Sequence, residues 1–333
     1  MSNKITDKDY LYLSAMISAR EPKMLTKDKA ERMIDASNFD EAAKLLCDCG
    51  YEDMSGMTAV QVEKELSEHR AEILSELSRY APESAIVDAF KLRYDYHNAK
   101  VLIKAEGADV DGAYLLSDAG RISKEKLMEA YHAEEFCFIP EPLKNAIIEA
   151  KSILARTENP QLADFVLDKA YFAELSKMAE GLSSDFLKRY VETLADSANL
   201  RTAVRTKRIG REGEFLRNAL VPGGSKDIDT IVSAYISGDG LVDMFSGSVF
   251  ETAAVKGAEA AEGGDLMSFE LACDNAVMNF LKGAKSVAFG GEILVAYIAA
   301  VESELTAVRM ILTGKLAGVK PEMLKERLRD TYA

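Results

Sequence analysis

Four groupings in this 333-residue chain have residue types and spacings that could carry chemistry. The first is Cys47-Asp48-Cys49, a candidate metal or redox pair. A structural zinc knuckle needs about two to four residues between its cysteines and a second Cys or His group, and neither is present. Packing at a helix end is the simpler reading. His69, His97 and His132 stand in no His-Glu-x-x-His pattern and beside no evident nucleophile, so neither zinc binding nor general-base work is indicated. His97 falls on an apolar stripe and reads as a hydrogen-bonded core residue. Pro222-Gly-Gly-Ser-Lys226 looks like a phosphate loop but lacks the GxxxxGK[ST] spacing and follows no buried strand. It reads as a turn leading into an N-cap, and no nucleotide is expected there.

The fourth grouping is the densest run of bases: Arg201, Arg205, Lys207, Arg208 and Arg211. Arg201, Arg205 and Arg208 are four and three residues apart and so share one helical face. Two readings stay open, a solvated or internally paired face and a docking site for an acidic partner. Arg201, Arg205, Arg208 and Arg211 are the candidate partner-binding residues. Asp95/Asn98 and Asp196/Asn199 each put an acid and an amide on one helix face, where they can bond loop backbone or a neighbouring unit. Each copy holds one acid only, so paired-carboxylate chemistry is not offered. No catalytic constellation emerges, and neither a cofactor nor a metal is expected.

Helices must position these groups. Pro is scarce, and Ala, Leu, Glu and Lys fill long stretches without Gly, which makes the chain all-α by expectation. A repeat of about 100 residues is marked twice. Thr26-Lys-Asp28, Ser123-Lys-Glu125 and Ser225-Lys-Asp227 each open a helical pattern with an N-cap hydroxyl and an early acid. Near each unit's end stand Asp95…Asn98…Lys100, Asp196…Asn199…Arg201 and Glu304…Ala307…Arg309. Units over 1–110, 111–215 and 216–333 follow, with turn chemistry at Gly107 to Gly112 and at Val221 to Ser225. Each closes in a long helix with an apolar face. Leu294, Ile298, Val301, Leu305, Val308 and Leu312 form the clearest seam; Val87, Phe90, Tyr94, His97 and Val101, and Leu187, Val191, Leu194 and Ala198, keep a similar cadence. Lys256–Asp265 and Asp109–Gly120 read as surface loops.

Charge narrows the function further. Forty-one Lys and Arg against 55 Asp and Glu give −14, which excludes general nucleic-acid binding but leaves room for a local basic patch. Four cysteines make no disulfide framework, and MSNKITDKDY has no apolar signal core, so a reducing, cytoplasmic compartment is expected. Ile293–Val301, the most apolar run, is nine residues long and too short to cross a bilayer.

Glu302-Ser-Glu-Leu-Thr-Ala-Val-Arg309-Met-Ile-Leu-Thr-Gly-Lys315-Leu-Ala-Gly-Val-Lys-Pro321, followed by Lys325-Glu-Arg327-Leu-Arg329-Asp-Thr-Tyr332, resembles the closing signature of the C subunit of V/A-type ATPases (ATP synthases), the counterpart of the eukaryotic V-ATPase d subunit. Lys91-Leu-Arg-Tyr-Asp95-Tyr-His-Asn98-Ala-Lys100-Val-Leu-Ile-Lys104 is similar to that family's first-domain signature, and Asn199-Leu-Arg201 to its middle one. Ala99 and Ala307 depart from it, where a larger aliphatic residue and Asn are more usual. The resemblance implies three similar helical-bundle domains arranged as a pseudo-threefold funnel. It also implies a non-catalytic central-stalk rotor protein at the cytoplasmic face of the membrane, peripheral, with no nucleotide and no transmembrane segment of its own. Its implied partners are the central shaft subunits of D and F type and the membrane proteolipid ring of c/K type. A free cytoplasmic helical scaffold or adaptor, and an all-α enzyme with an unrecognised site, are the competing readings.

Overall fold

Helix-forming runs and well-made caps set the elements. Thr58 and Gln61 form a reciprocal capping box, Ser184 accepts from Leu187 N at 3.1 Å, and Pro160 occupies the first turn of its helix, where a missing N–H costs nothing. A computed structural model describes residues 5–237 and 240–333, and it is all-helical, with no strand among the described residues. In chain order come α1 (Leu11–Arg20), α2 (Lys27–Asp35), α3 (Phe39–Leu45), α4 (Ala59–Tyr80), α5 (Ala85–Ala108) and α6 (Lys124–Ala133). Next are α7 (Glu141–Thr157), α8 (Pro160–Gly181), α9 (Asp185–Arg208), α10 (Gly213–Ala219), α11 (Ile228–Ser237) and α12 (Gly240–Phe245). α13 (Glu251–Ala261), α14 (Leu266–Lys282), α15 (Gly291–Leu316) and α16 (Pro321–Arg327) complete the chain.

By packing, the chain divides into two units. One comprises residues up to Ser84 with Gly247–Lys256 and Asp265–Ala333; the other comprises Ala85–Ser246 with Gly257–Gly264. In the first, α15 packs against α1, α2, α3, α4 and α14. The six seam residues from Leu294 to Leu312 are all buried, and Ile293–Val301 is buried on every side, so one apolar stripe understates the role of this helix. In the second, α5 packs on α7 and α8, α8 on α9, and α10 on α9 and α11. Of the sequence-marked bounds, 110/111 lies in the loop after α5 and 215/216 inside α10.

The acid-and-amide pairs act on backbone. Asn98 Nδ2 donates to Ser117 O at 2.9 Å and Ser117 N donates back to Asn98 Oδ1 at 2.8 Å. Asn199 repeats this with Val221, at 2.9 and 2.8 Å. Asp95 accepts from Ile122 N at 3.1 Å and from Arg121 Nε at 2.7 Å, while Asp196 accepts from Ser225 N at 2.9 Å and from the Ser225 hydroxyl at 2.5 Å. The third copy, Glu304, accepts from Leu25 N at 2.6 Å and from the Tyr51 hydroxyl at 2.7 Å. In every copy the acid holds the loop that leads into an opening helix. Burial pushes all three carboxyls up from their ordinary values, against the pull of these donors.

The helix ends repeat as well. Fourteen residues beyond each acid stands a left-handed residue, Asp109 (φ 52°), Gly210 (φ 67°) or Gly318 (φ 68°). The next residue closes a Schellman turn: Val110 N to Ala105 O at 3.0 Å, Arg211 N to Thr206 O at 3.1 Å, Val319 N to Gly314 O at 2.9 Å.

Three sequence expectations need correction. The N-cap of α11 is Asp227, which accepts from Thr230 N at 3.0 Å, and not Ser225, whose hydroxyl is taken by Asp196. Lys256–Asp265 is no loop, because its first six residues finish α13; Ala and Glu outweigh one helical glycine. His97 is exposed rather than in the core, its Nε2 3.1 Å from Leu115 O.

Gly120 and Gly224 let the loops approach these clasps. A Cβ at either would stand 2.5 Å from the Oδ1 of Asp95 or Asp196, an oxygen already fixed by its donors. Gly224→Ala is therefore expected to destabilise the second unit by about 1–3 kcal/mol, the usual range for overpacking. Equilibrium denaturation would measure it; a loss no larger than at an open glycine such as Gly181 would show that the loop yields freely.

Candidate docking interface at a basic helix end

α9 runs 24 residues from a Ser184 cap and leaves the core at its C-terminus. Ala203 and Val204 are still buried there, and Ala203 packs with Leu216, Leu220, Ile231 and Val232 beneath α10 and α11. The outward positions of the last turns carry the bases, where cations favour the negative end of the helix dipole.

The four candidate arginines take different roles. Arg201 is half-buried and Arg205 is exposed. Arg208 turns inward in part: its Nη1 donates to Ala260 O at 2.8 Å and to Gly264 O at 2.7 Å. It thus ties the last turn of α13 to the turn that follows it, an internal use that no sequence spacing reveals. Arg211 is exposed, its guanidinium carbon 5.6 Å from the centre of the Phe215 ring, and its carbonyl accepts from the Tyr235 hydroxyl. Phe215 in turn meets Phe165 edge-on at 5.7 Å. The spacing of four and three therefore places three arginines along one side of α9, while Arg211 joins them from the following turn.

Two apolar residues that sequence reading missed complete the surface. Ile209, the C-cap of α9, is 61% exposed, and Ile236 on α11 is 70% exposed. Ile236 lies against Gly213, where an added Cβ would be 3.1 Å from its Cδ1. An isoleucine between Arg208 and Gly210, past the end of its helix, was the available signal. The result is a cationic face with exposed aliphatic groups, chemistry suited to an acidic, partly apolar protein segment.

The other candidates hold no reactive arrangement. Cys47 and Cys49 are free thiols; Cys49 is buried and receives Lys29 Nζ at 3.6 Å, and burial raises its pKa. His69 packs against Tyr51, ring centres 4.4 Å apart and planes tilted by 33°, and burial lowers its pKa. His132 meets Tyr131 edge-on. Pro222–Lys226 is the loop clasped by Asp196 and Asn199. Among the described residues no group of three or more Cys, His, Asp or Glu side chains is placed to hold a metal ion, and no described helix is long and apolar enough to cross a membrane.

Comparison with known proteins extends over nearly the whole chain. The ATP synthase (C/AC39) subunit family matches residues 13–327. The C subunit of the V-type sodium ATPase of Enterococcus hirae is 29% identical, with 97% of this chain and 99% of that protein covered. The C subunit of the A-type ATP synthase of Methanocaldococcus jannaschii is 28% identical over 96% of this chain and 86% of its own length, and that of the V-type ATP synthase of Thermus thermophilus is 24% identical over 93% and 94%.

Proposed function

Because the chain belongs to the ATP synthase (C/AC39) subunit family, and so to the subunits of rotary V/A-type ATPases, we propose that it is the non-catalytic central-stalk component that seats the shaft of the soluble head on the membrane proteolipid ring. Its partners are then the D- and F-type shaft subunits and the c/K-type ring, and it works as a peripheral protein at the cytoplasmic face. It contributes no active site of its own.

The observation that carries this reading is the thrice-repeated clasp. A coupling element transmits torque only if it does not shear within itself, and close-packed interiors transmit strain with little compression. Each clasp is a carboxyl on a long helix, buried at Asp95 and Asp196 and half-buried at Glu304, bonded to loop backbone, and the third ties Glu304 to Leu25 across 279 residues of sequence. We read the units 1–110, 111–215 and 216–333 as three copies of this device, arranged as a pseudo-threefold funnel. Arg201, Arg205, Arg208 and Arg211 then line the face that receives the acidic part of the shaft, with Arg205 and Arg211 outermost.

Membranes stripped of this chain and reconstituted with it provide the test. Wild-type chain should restore ion transport driven by ATP hydrolysis, and Arg205→Glu/Arg211→Glu should bind shaft subunits about 10-fold more weakly at moderate ionic strength, with the difference shrinking in high salt. Coupled transport in membranes lacking the chain would overturn the central-stalk reading; unchanged shaft binding by the double variant would remove the arginine face alone.

A further inference from the structure

The connector between α5 and α6 turns three large apolar side chains outward while Ala119 stays buried. Val110, Tyr114 and Leu115 are 62%, 81% and 52% exposed, yet the backbone that bears them is held from several sides. Asn98 brackets Ser117, His97 meets Leu115 O, Ala113 N donates to Asp111 Oδ1 at 2.9 Å, and Leu115 N donates to Gly112 O at 2.9 Å. Gly112 is pressed against α5, where an added Cβ would be 2.8 Å from the Cβ of Ala105. Folding gains little from fixing a loop whose apolar groups stay wet, whereas a partner gains a surface already ordered.

The second copy shows what the same connector does when it serves the core. After α9 the chain forms α10, and Leu216 and Leu220 are buried beside Ile231 and Val232 of α11. No such burial is found for Tyr114 or Leu115.

Charge gives the kind of partner. α9 ends with Arg205, Lys207 and Arg208, and α15 has Lys315 in its last turn, as the helix dipole favours. α5 has no base in its last turn. It ends instead in Glu106, Asp109 and Asp111, and Asp109 occupies the left-handed position that Gly210 and Gly318 fill elsewhere. Glu106 is accounted for internally by the Tyr131 hydroxyl and by Lys151 at 3.5 Å. Asp109 and Asp111 are exposed on either side of Val110, against both the dipole and, for Asp109, the backbone preference.

We propose that the α5–α6 connector is a second docking surface, which takes a basic, aliphatic-bearing segment of another subunit of the rotary complex. Tyr114, Val110 and Leu115 supply the anchors, and Asp109 and Asp111 pair with the partner's bases. This rests on membership in the assembled ATPase, and it makes the surface complementary in sign to the arginine face at the end of α9.

The test uses the full chain rebinding to ATPase membranes stripped of it, with a photo-reactive benzoylphenylalanine at position 114 in a parallel arm. Tyr114→Ser/Leu115→Ser and Asp109→Asn/Asp111→Asn should each rebind at least 10-fold more weakly than wild type while keeping the wild-type thermal midpoint, since Asn keeps the acceptor for Ala113 N and tolerates the left-handed backbone at position 109. The crosslink should map to a Lys- or Arg-rich segment of another subunit. Rebinding equal to wild type by both variants overturns this inference and leaves the family reading intact; failure of the wild-type chain to rebind overturns both. A crosslink to lipid, to a second copy of this chain or to an acidic segment also overturns it. The crosslinking arm decides the matter even if a variant folds poorly.

Discussion

Asn199→Ala is expected to destabilise the second packed unit by about 2–4 kcal/mol, since a buried backbone donor and a buried acceptor are stranded together and each costs about 1–3 kcal/mol. Asn199 is 1% exposed and its amide both receives Val221 N and donates to Val221 O, on a residue that is itself buried. Water cannot replace the amide without entering the core between α9 and the loop. Asn199→Leu should be no better, because an apolar side chain of similar size leaves the same two groups unsatisfied. Asn98→Ala removes the equivalent amide, but its partner Ser117 is only half-buried, so solvent can take over part of the work and a smaller loss is expected. Urea denaturation of the three variants measures the order. Equal losses at positions 98 and 199 would show that burial of the partner backbone does not set the cost.

The helices themselves were legible because their information is local. Alternation of apolar residues by three and four marked α5, α9 and α15, and the acid with its base five residues on marked the middle of each. Other features depend on partners that spacing cannot name. Arg208 bonds to carbonyls 52 and 56 residues away, and Glu304 bonds to a backbone N–H near the start of the chain. Register also misled at Ser225: the second copy inserts α10 between its amide and the clasped loop, so Asn199 reaches 22 residues ahead where Asn98 reaches 19. Once that insertion is allowed for, Ser123 and Asp227 stand equally far beyond Ser117 and Val221, and the match of N-caps returns. Glycine was the other source of error. Its presence in Lys256–Asp265 suggested a loop although the surrounding Ala and Glu sustain α13, while the left-handed end of α5 escaped notice because Asp109 stands where glycine is usual. The division into two packed units follows from the last 69 residues folding against the first 84, a pairing without any local trace.

Glu304→Ala should cost about 2–4 kcal/mol, because two donors lose their acceptor together and each stranded donor costs about 1–3 kcal/mol. Leu25 N and the Tyr51 hydroxyl both point at this carboxylate, and Leu25 and Tyr51 are buried. Glu304→Gln is expected to recover most of the loss: its amide oxygen can accept from Leu25 N, and its amide nitrogen can donate to a reoriented Tyr51 hydroxyl. The pair of variants also separates hydrogen bonding from charge. Burial raises the Glu304 carboxyl above its ordinary value by more than the Leu25 and Tyr51 bonds and nearby Lys29 lower it. A carboxyl raised in the folded chain binds its proton where the unfolded chain has released it, so its stabilising contribution is full below the unfolded pKa and is lost as pH rises through the folded one. Glutamine does not titrate. Relative to wild type, Glu304→Gln should therefore gain stability as pH climbs from the ordinary glutamate value through the raised one, and the difference should level off above it. Denaturation of both proteins across that window measures the slope, and hydrogen exchange at the Leu25 amide reports whether the clasp itself opens. A gap that widens in the opposite direction would mean that the donors around Glu304 outweigh its burial, and that the clasp is strongest with the carboxylate charged.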